Sequence, residues 1–185
     1  MDTFEAERKY RCDHETLREV LVDAGFTHEG TIEQVDRYVD HPTRSFAVTD
    51  EALRIRTVTT DTLDAERTEL TYKGPQVGET AKTRAERTVI LDSASMLQGI
   101  LTAVDFEVVG SVHKQRERFV RDDTVVTLDM VDGLGEFAEI EVQTDASGIE
   151  QAEEELAQIA DELGLSDAML VEETYLGLLL KNSSE

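Results

Sequence analysis

About eight stretches of the sequence alternate between charged or polar and aliphatic residues, a period of two that fits the pleat of a β-strand and not the turn of a helix. In residues 4–11, Glu5, Glu7, Lys9 and Arg11 fall on one face, and Phe4, Ala6, Arg8 and Tyr10 on the other. Residues 34–41 set Asp36, Tyr38 and Asp40 against Val35, Arg37 and Val39, and residues 52–58 set Arg54 and Arg56 against Leu53 and Ile55. Residues 67–73 set Leu70 and Tyr72 against Glu69, Thr71 and Lys73. The same reading places strands at 82–91, 112–120, 124–130 and 136–143, with loops at 61–65 and 74–79.

Between the strands, apolar residues recur at helical spacing. Asp13 caps a helix that carries Leu17, Val20, Leu21 and Ala24 on one face and ends at Gly25. A second helix runs over 93–104, with Leu97, Ile100, Leu101 and Val104 in phase. A third starts at Ser147, which forms a capping-box pattern with Glu150, and turns Ile149, Ala152, Leu156, Ile159, Ala160 and Leu163 inward. Its Glu153, Glu154 and Glu155 run reads as a solvated face. A short fourth helix over 174–180 closes over the strands or packs on a partner. With 185 residues and no repeat or linker, the expected architecture is a single α+β domain spanning 1–185.

Charge narrows the partners. Against 18 Lys and Arg stand 41 Asp and Glu, and a formal charge of −23 opposes binding to nucleic acid or to an anionic membrane surface. No apolar run is long enough to cross a bilayer, and the first eleven residues lack the apolar core of a signal peptide, so a soluble, cytoplasmic protein is expected. Acidity spread over the whole chain is the pattern of a halophilic protein, kept in solution where salt screens its self-repulsion. Cys12 has no cysteine to pair with and no base assigned to it, and reads as an inert, half-buried thiol. His14, His28, His41 and His113 read as surface or core residues.

The scarce cations are more informative than the abundant acids. Of five lysines, Lys9, Lys73, Lys82 and Lys114 lie on expected strands, and only Lys181 lies in the tail. Arg54 with Arg56, Lys82 with Arg84, and Lys114 with Arg116 stand at i,i+2 spacing, as do Glu5 with Glu7 and Glu139 with Glu141, so each pair projects from one face. Alternation alone leaves two arrangements open: a hydrated charged face on an open sheet, or a closed barrel with charge inward and aliphatics outward beneath the helices. In the barrel, guanidinium and ammonium groups on several walls would grip a triphosphate. Carboxylates opposite them would hold Mg²⁺ or Mn²⁺ through oxygen ligands.

A series of motifs resembles a known family. Glu5-Ala6-Glu7-Arg8-Lys9 matches an ExExK signature, and it is followed in order by Gln34-Val35-Asp36-Arg37-Tyr38-Val39-Asp40, Leu53-Arg54-Ile55-Arg56, Thr71-Tyr72-Lys73-Gly74-Pro75, Lys82-Thr83-Arg84-Ala85-Glu86, Lys114-Gln115-Arg116, Asp129 and Glu139-Ile140-Glu141. This order, which reaches Tyr175 and Leu176, resembles the CYTH superfamily, the triphosphate tunnel metalloenzymes. Residues 128–141 (LDMVDGLGEFAEIE), together with Tyr72-Lys73-Gly74-Pro75 ahead of Lys82-Thr83-Arg84, are most similar to its class IV adenylate cyclase branch.

The resemblance implies a closed or nearly closed antiparallel β-barrel of about eight strands, with helices packed outside. By position, Glu5, Glu7, Asp129, Glu139 and Glu141 correspond to the family's metal-binding carboxylates. Lys9, Arg54, Arg56, Lys73, Lys82, Lys114 and Arg116 correspond to its phosphate-binding cations, with Arg84 and Glu86 on the same wall. For Glu86, an ion pair and a metal contact both stay open. Lys9, Arg56, Lys114 and Asp129 form the implied catalytic set.

The implied reaction converts ATP to cAMP and pyrophosphate with Mg²⁺ or Mn²⁺, the ribose 3′-oxygen attacking the α-phosphorus. Hydrolysis of inorganic or thiamine triphosphate is the alternative within the family. A non-catalytic module that senses polyphosphate or a nucleotide is the alternative outside catalysis, and retention of both carboxylate pairs argues against it. Members of the branch are often homodimers, and the apolar cluster Tyr175, Leu176, Leu178, Leu179 and Leu180 would serve that contact or plug one end of the barrel.

Overall fold

The computed structural model describes residues 3–60, 63–78 and 80–183. Eight strands are present: β1 (Thr3–Arg11), β2 (Thr27–Asp40), β3 (Ala52–Thr60), β4 (Leu63–Gln76), β5 (Lys82–Leu91), β6 (Glu107–Arg121), β7 (Thr124–Val131) and β8 (Gly135–Thr144). They close into an antiparallel barrel in the order β1-β5-β4-β3-β2-β6-β7-β8. Four helices accompany them: α1 (His14–Asp23), α2 (Ala94–Ala103), α3 (Ile149–Glu162) and α4 (Tyr175–Asn182). None of these is long and apolar enough to cross a membrane.

Closure removes the open-sheet alternative, because the aliphatic faces of the strands point outward and the helices cover them. Ala6, Tyr10, Val126, Leu128 and Ile140 pack with Leu17 and Leu21 of α1 and Leu156 and Ala160 of α3. Leu21 and Leu156 are fully buried, each contributing about 1.5–3 kcal/mol through removal of apolar surface from water. On another side, Val39 and Ile55 meet Ala94, Leu97 and Leu101 of α2. Asp13 caps α1 by accepting from the Thr16 amide at 2.8 Å, and Gly25 ends the helix at φ +83°, a conformation a side chain would disfavour.

Several expected boundaries move. The strands β2 and β6 begin at Thr27 and Glu107, earlier than alternation suggests, because they pair with each other from Thr27↔Val120 to Asp40↔Glu107. The added ends are largely exposed, so no apolar face marks them in the sequence. Strand β4 takes in 63–65 and 74–76, both expected as loop, while Asp61, Thr62 and Glu79 lie outside the described residues. Ser147 does not cap α3. That turn is held instead by Asp145, whose Oδ1 accepts from the Ser147 and Gly148 amides at 2.8 and 3.1 Å.

One side-chain face changes, and of the two arrangements expected for the last helix the structure shows closure over the strands. Glu153 is buried, not solvated, because its carboxylate is turned onto the β4–β5 connection. The apolar cluster of α4 turns back on its own barrel: Tyr175 packs with Val112, Val131 and Phe137, and Leu176, Leu178 and Leu179 lie against the same cluster. Leu176, Leu178 and Leu179 are only partly buried there, and Leu180 is half exposed.

Candidate functional site

Alternation sends the other face of each strand into the barrel. Among the described residues, eight of the chain's 18 Lys and Arg side chains line one central cavity, against six of its 41 Asp and Glu. An acidic protein has thus gathered nearly half of its cations into one interior space, which an ordinary solvated face would not do.

The deepest wall is built by β6, β7 and β8. Asp129 is fully buried. Its Oδ2 accepts from Lys114 Nζ at 2.8 Å, from Arg116 Nη2 at 2.6 Å and from the Tyr175 hydroxyl at 3.0 Å, and its Oδ1 accepts from Arg116 Nε at 2.6 Å. Arg116 also pairs with Glu139 and, at 3.4 Å, with Glu141. Lys9, from β1, sits 3.4 Å from Glu139, donates to the Glu173 carbonyl at 3.2 Å and lies 4.1 Å from the centre of the Tyr175 ring. The same ring is 5.0 Å from Lys114 Nζ. Burial opposes the charge of Asp129, but Arg116 and Lys114 hold its carboxyl below the ordinary range. For Lys114, burial and then the neighbouring Arg116 push the ammonium down to about 8.

A second wall comes from β2 and β3. In register across them, Asp36 faces Arg56, which donates through Nε and Nη2 at 2.6 and 2.7 Å, and Arg54 Nη1 stands 3.7 Å from the same carboxylate. The third wall is formed by β1, β4 and β5, where Lys73 bridges Glu5 at 3.3 Å and Glu86. Burial raises Glu86 to about 7, with Lys73 opposing and Glu5 adding to the rise.

Three carboxylates then converge. Ligand oxygens of Glu5, Glu7 and Glu141 all lie within 4.8 Å of one another. Burial, and after it the nearby Glu5, push Glu141 up to about 8. A dication among these oxygens would relieve that repulsion, and an all-carboxylate donor set suits a hard ion such as Mg²⁺ or Mn²⁺. The cationic walls also fit a polyanion: Lys82 Nζ and Arg54 Nε are buried with no hydrogen-bond partner among the described residues. Burial and then the charge of Lys9 hold Lys82 down at about 8. Phosphate oxygens would supply acceptors and counter-charge to both.

The residues named from sequence are therefore brought together, but not as equals. Glu139 and Asp129 spend their oxygens on Lys9, Lys114, Arg116 and Tyr175, whereas Glu5, Glu7 and Glu141 form the compact trio. Arg84 lines the cavity but is drawn to its rim, where it donates to the Asp50 carbonyl at 2.9 Å and to Asp50 Oδ1 at 2.8 Å. Cys12 lies away from all of this, its thiol pushed up to about 12 by burial and then by Glu136 and Asp13. Sequence reasoning missed Asp36 and Tyr175 as site residues. The first carries the period-two signal on its own strand, but Arg56 appears as its partner only once β2 and β3 are paired. The second belongs to a helix whose apolar run masks its role.

Comparison with known proteins agrees with this geometry. The family model described as "CYTH domain" matches residues 3–175. Among curated relatives, "Putative adenylate cyclase MJ0240" of Methanocaldococcus jannaschii is 31% identical over 176 residues, 94% of this chain and 97% of that protein. "Adenylate cyclase CyaB" of Aeromonas hydrophila is 30% identical over 176 residues, 93% of this chain and 86% of that protein. Among solved structures, the PH1819 protein from Pyrococcus horikoshii OT3 superposes with a TM-score of 0.88 at 34% identity, covering 96% of this chain and 99% of that one. The chain belongs to the CYTH family.

Proposed function

We propose that the barrel is a metal-dependent, triphosphate-processing active site of the adenylate cyclase kind, which converts ATP to cAMP and pyrophosphate. The observation that carries this reading is the concentration of eight cations around a cavity that also holds a three-carboxylate cluster, in a chain of net charge −23. The names of the two curated relatives support the cyclase over other triphosphate chemistry.

In this reading Glu5, Glu7 and Glu141 hold Mg²⁺ or Mn²⁺, which when bound supplies positive charge to the phosphate oxygens. Lys9, Arg54, Arg56, Lys73, Lys82, Lys114 and Arg116 bind and orient the phosphate chain, and Arg84 joins them from the rim. Asp129 and Glu139 act from behind, fixing Lys114, Arg116 and Lys9. The ribose 3′-hydroxyl gives up its proton, to water or to the departing pyrophosphate, as its oxygen bonds to the α-phosphorus; the bond from that phosphorus to the bridging oxygen breaks, and pyrophosphate leaves toward the cationic walls. Catalysis then rests on positioning and on charge placed where it develops.

A phosphate grip of this kind also fits inorganic or thiamine triphosphate, with water attacking the terminal phosphorus. Incubation with ATP and with inorganic triphosphate in multimolar KCl, followed by chromatography, separates the two. Formation of cAMP and pyrophosphate supports the cyclase; a diphosphate and phosphate would replace it with a triphosphatase; tight binding without turnover would leave a sensing module. We further place the protein in a salt-rich cytoplasm, on the strength of its acidity, and as a homodimer. Besides the C-terminal cluster, a surface that supports a dimer is α2, whose Met96, Ile100 and Val104 are each more than half exposed.

A further inference from the structure

Lys82 stands where the barrel is least secured. Strand β5 joins β1 only from Thr3↔Glu86 to Glu7↔Lys82, whereas β1 and β8 pair from Phe4↔Thr144 to Arg11↔Phe137. On its other side the ladder to β4 is interrupted between Lys73↔Glu86 and Gln76↔Arg84. The first residues of β5 therefore lie at the end of both ladders. Yet Lys82 and Arg84 line the central cavity and also an adjoining one of about 410 Å³ beside Thr80 and Ala81.

Within the barrel the Val77 amide donates to the Thr83 carbonyl at 2.8 Å, and a second hold on the segment comes from outside it. Glu153 of α3 is only 8% exposed, and both of its carboxylate oxygens are turned onto the residues before and within β5. Its Oε2 accepts from the Thr80 amide at 3.2 Å and the Thr80 hydroxyl at 2.9 Å. Its Oε1 accepts from the Ala81 amide at 3.2 Å and the Thr83 hydroxyl at 3.4 Å. Only an acceptor on both branches satisfies this set; the amide of a glutamine would turn an NH₂ toward N–H and O–H donors. The contact is also closely packed. A Cβ at Gly78 would overlap Glu153 Oε1 and come within 2.6 Å of the Ala81 carbonyl and the Thr83 hydroxyl.

We infer that Glu153 is a positioning residue for the active site: through Thr80, Ala81 and Thr83 it sets the start of β5, and thereby the place of Lys82 and Arg84 at the cavity. This rests on the reading of the cavity as a triphosphate site. Because α3 is anchored on β1 and β8 by Leu156 and Ala160, the carboxylate ties the weak β5 edge to the core that α1 and α3 share with those strands. The group it orders is Lys82, whose buried ammonium has no acceptor among the described residues.

The test compares Glu153→Gln with Glu154→Gln, its exposed neighbour on the same helix, under KCl and temperature at which circular dichroism shows both folded. Inorganic triphosphate binding is measured by calorimetry, and kcat and KM are measured for ATP. Glu153→Gln should weaken triphosphate binding and raise KM about tenfold, with a smaller change in kcat, while Glu154→Gln should match wild type. Combined with Lys82→Ala, Glu153→Gln should add little further loss, because both act through the same ammonium. Gly78→Ala, which displaces the carboxylate without removing it, should weaken binding in the same direction. Hydrogen exchange at the Thr80 and Ala81 amides should quicken in Glu153→Gln. Wild-type KM in folded Glu153→Gln, or full additivity with Lys82→Ala, would overturn the inference. A wild-type protein that binds neither triphosphate nor ATP would instead overturn the reading on which it rests.

Discussion

Arg56 and Asp36 form a two-pronged, buried pair across the β2–β3 register, Nε to Oδ1 at 2.6 Å and Nη2 to Oδ2 at 2.7 Å. The pairing fixes the plane of the guanidinium, so that Nη1 is presented in a set direction. Asp36 thus orients a cation that would otherwise have several rotamers. Burial works against its charge, but Arg54 and Arg56 hold its carboxyl well below the ordinary range.

Replacing Arg56 with Lys keeps the charge and loses the fork. A lysine offers one point contact to Asp36, leaving a buried carboxylate oxygen poorly compensated and the phosphate chain misplaced. We expect kcat/KM to fall by the equivalent of about 2–3 kcal/mol. Steady-state kinetics at saturating Mg²⁺ and fixed KCl decide it. A change within about twofold, as for an exposed ion pair, would show that this face does not grip substrate.

Asp36 also makes stability depend on pH in a defined sense. Its folded-state pKa lies below the unfolded Asp value of about 3.9, so the pair stabilises the fold fully above that value. Stability is then lost as pH falls below about 3.9 and through the lower folded-state value. Asp36→Asn should be less stable than wild type by about 3 kcal/mol at neutral pH, and the gap should narrow as pH is lowered toward 3. Urea titrations at fixed KCl measure both; a gap that stays constant or widens in acid would contradict the assignment.

The barrel was legible because a period of two carries its own structural meaning: with Glu5, Glu7 and Lys9 on one face and Ala6 and Tyr10 on the other, one face had to be buried. Which strands meet was not legible, since β1 finds β5 and β8 across most of the chain. That is why Asp36 looked like one acid among many. The division of labour among the carboxylates was hidden for the same reason. Glu139 and Glu141 share a face, but only the closed barrel puts Glu141 beside Glu5 and Glu7 and leaves Glu139 with Lys9 and Arg116. Glu153 is a different case. It stands four residues after Ile149 and three before Leu156, at the margin of the buried stripe, so helical phase already placed it where the run of three glutamates suggested water.

The carboxylate trio makes metal binding separable from substrate binding. Glu141→Gln keeps the shape and removes a negative charge from the cluster, so the apparent affinity for Mn²⁺ should fall at least about tenfold. Glu139→Gln should disturb Lys9 and Arg116 and depress activity with a smaller effect on Mn²⁺ affinity. Spin-resonance titration of free Mn²⁺, with no nucleotide present, reads this directly. Equal losses in the two variants would return Glu139 to the metal cluster, and wild-type turnover in excess chelator would remove the metal from the reaction.

The α2 face gives the dimer a specific test. Residues 93–104 contain no charged side chain, and Met96, Ile100 and Val104 recur every fourth residue on an exposed stripe. Two copies that each carry −23 approach best where neither presents charge. Ile100→Glu should shift the species seen by light scattering at micromolar concentration from dimer to monomer while leaving the circular dichroism spectrum unchanged. A wild-type monomer, or a dimer indifferent to Ile100→Glu, would refute this surface.

The acidity itself predicts how the protein responds to salt. Helix α3 contains no Lys or Arg, exposes Glu150, Glu154 and Asp161, and ends in Asp161 and Glu162, where the helix dipole favours cations. Among the described residues, Glu162 pairs with Arg121 at 2.6 Å, and Glu150, Glu154 and Asp161 show no ion pair. In molar KCl the screening length is about 3 Å and these charges scarcely feel one another; at about 10 mM it is about 30 Å and the whole acidic surface repels. The interior pairs, such as Lys114 with Asp129, are shielded from salt by burial and should change much less. Lowering KCl from molar to millimolar levels should therefore cost helical signal first, as α3 loosens, and sheet signal afterwards, as β1 and β8 lose their cover. Because α3 carries Glu153, the same loosening should weaken binding of inorganic triphosphate before the barrel unfolds. Circular dichroism that stays unchanged across that range would show that the acidity is no adaptation to salt.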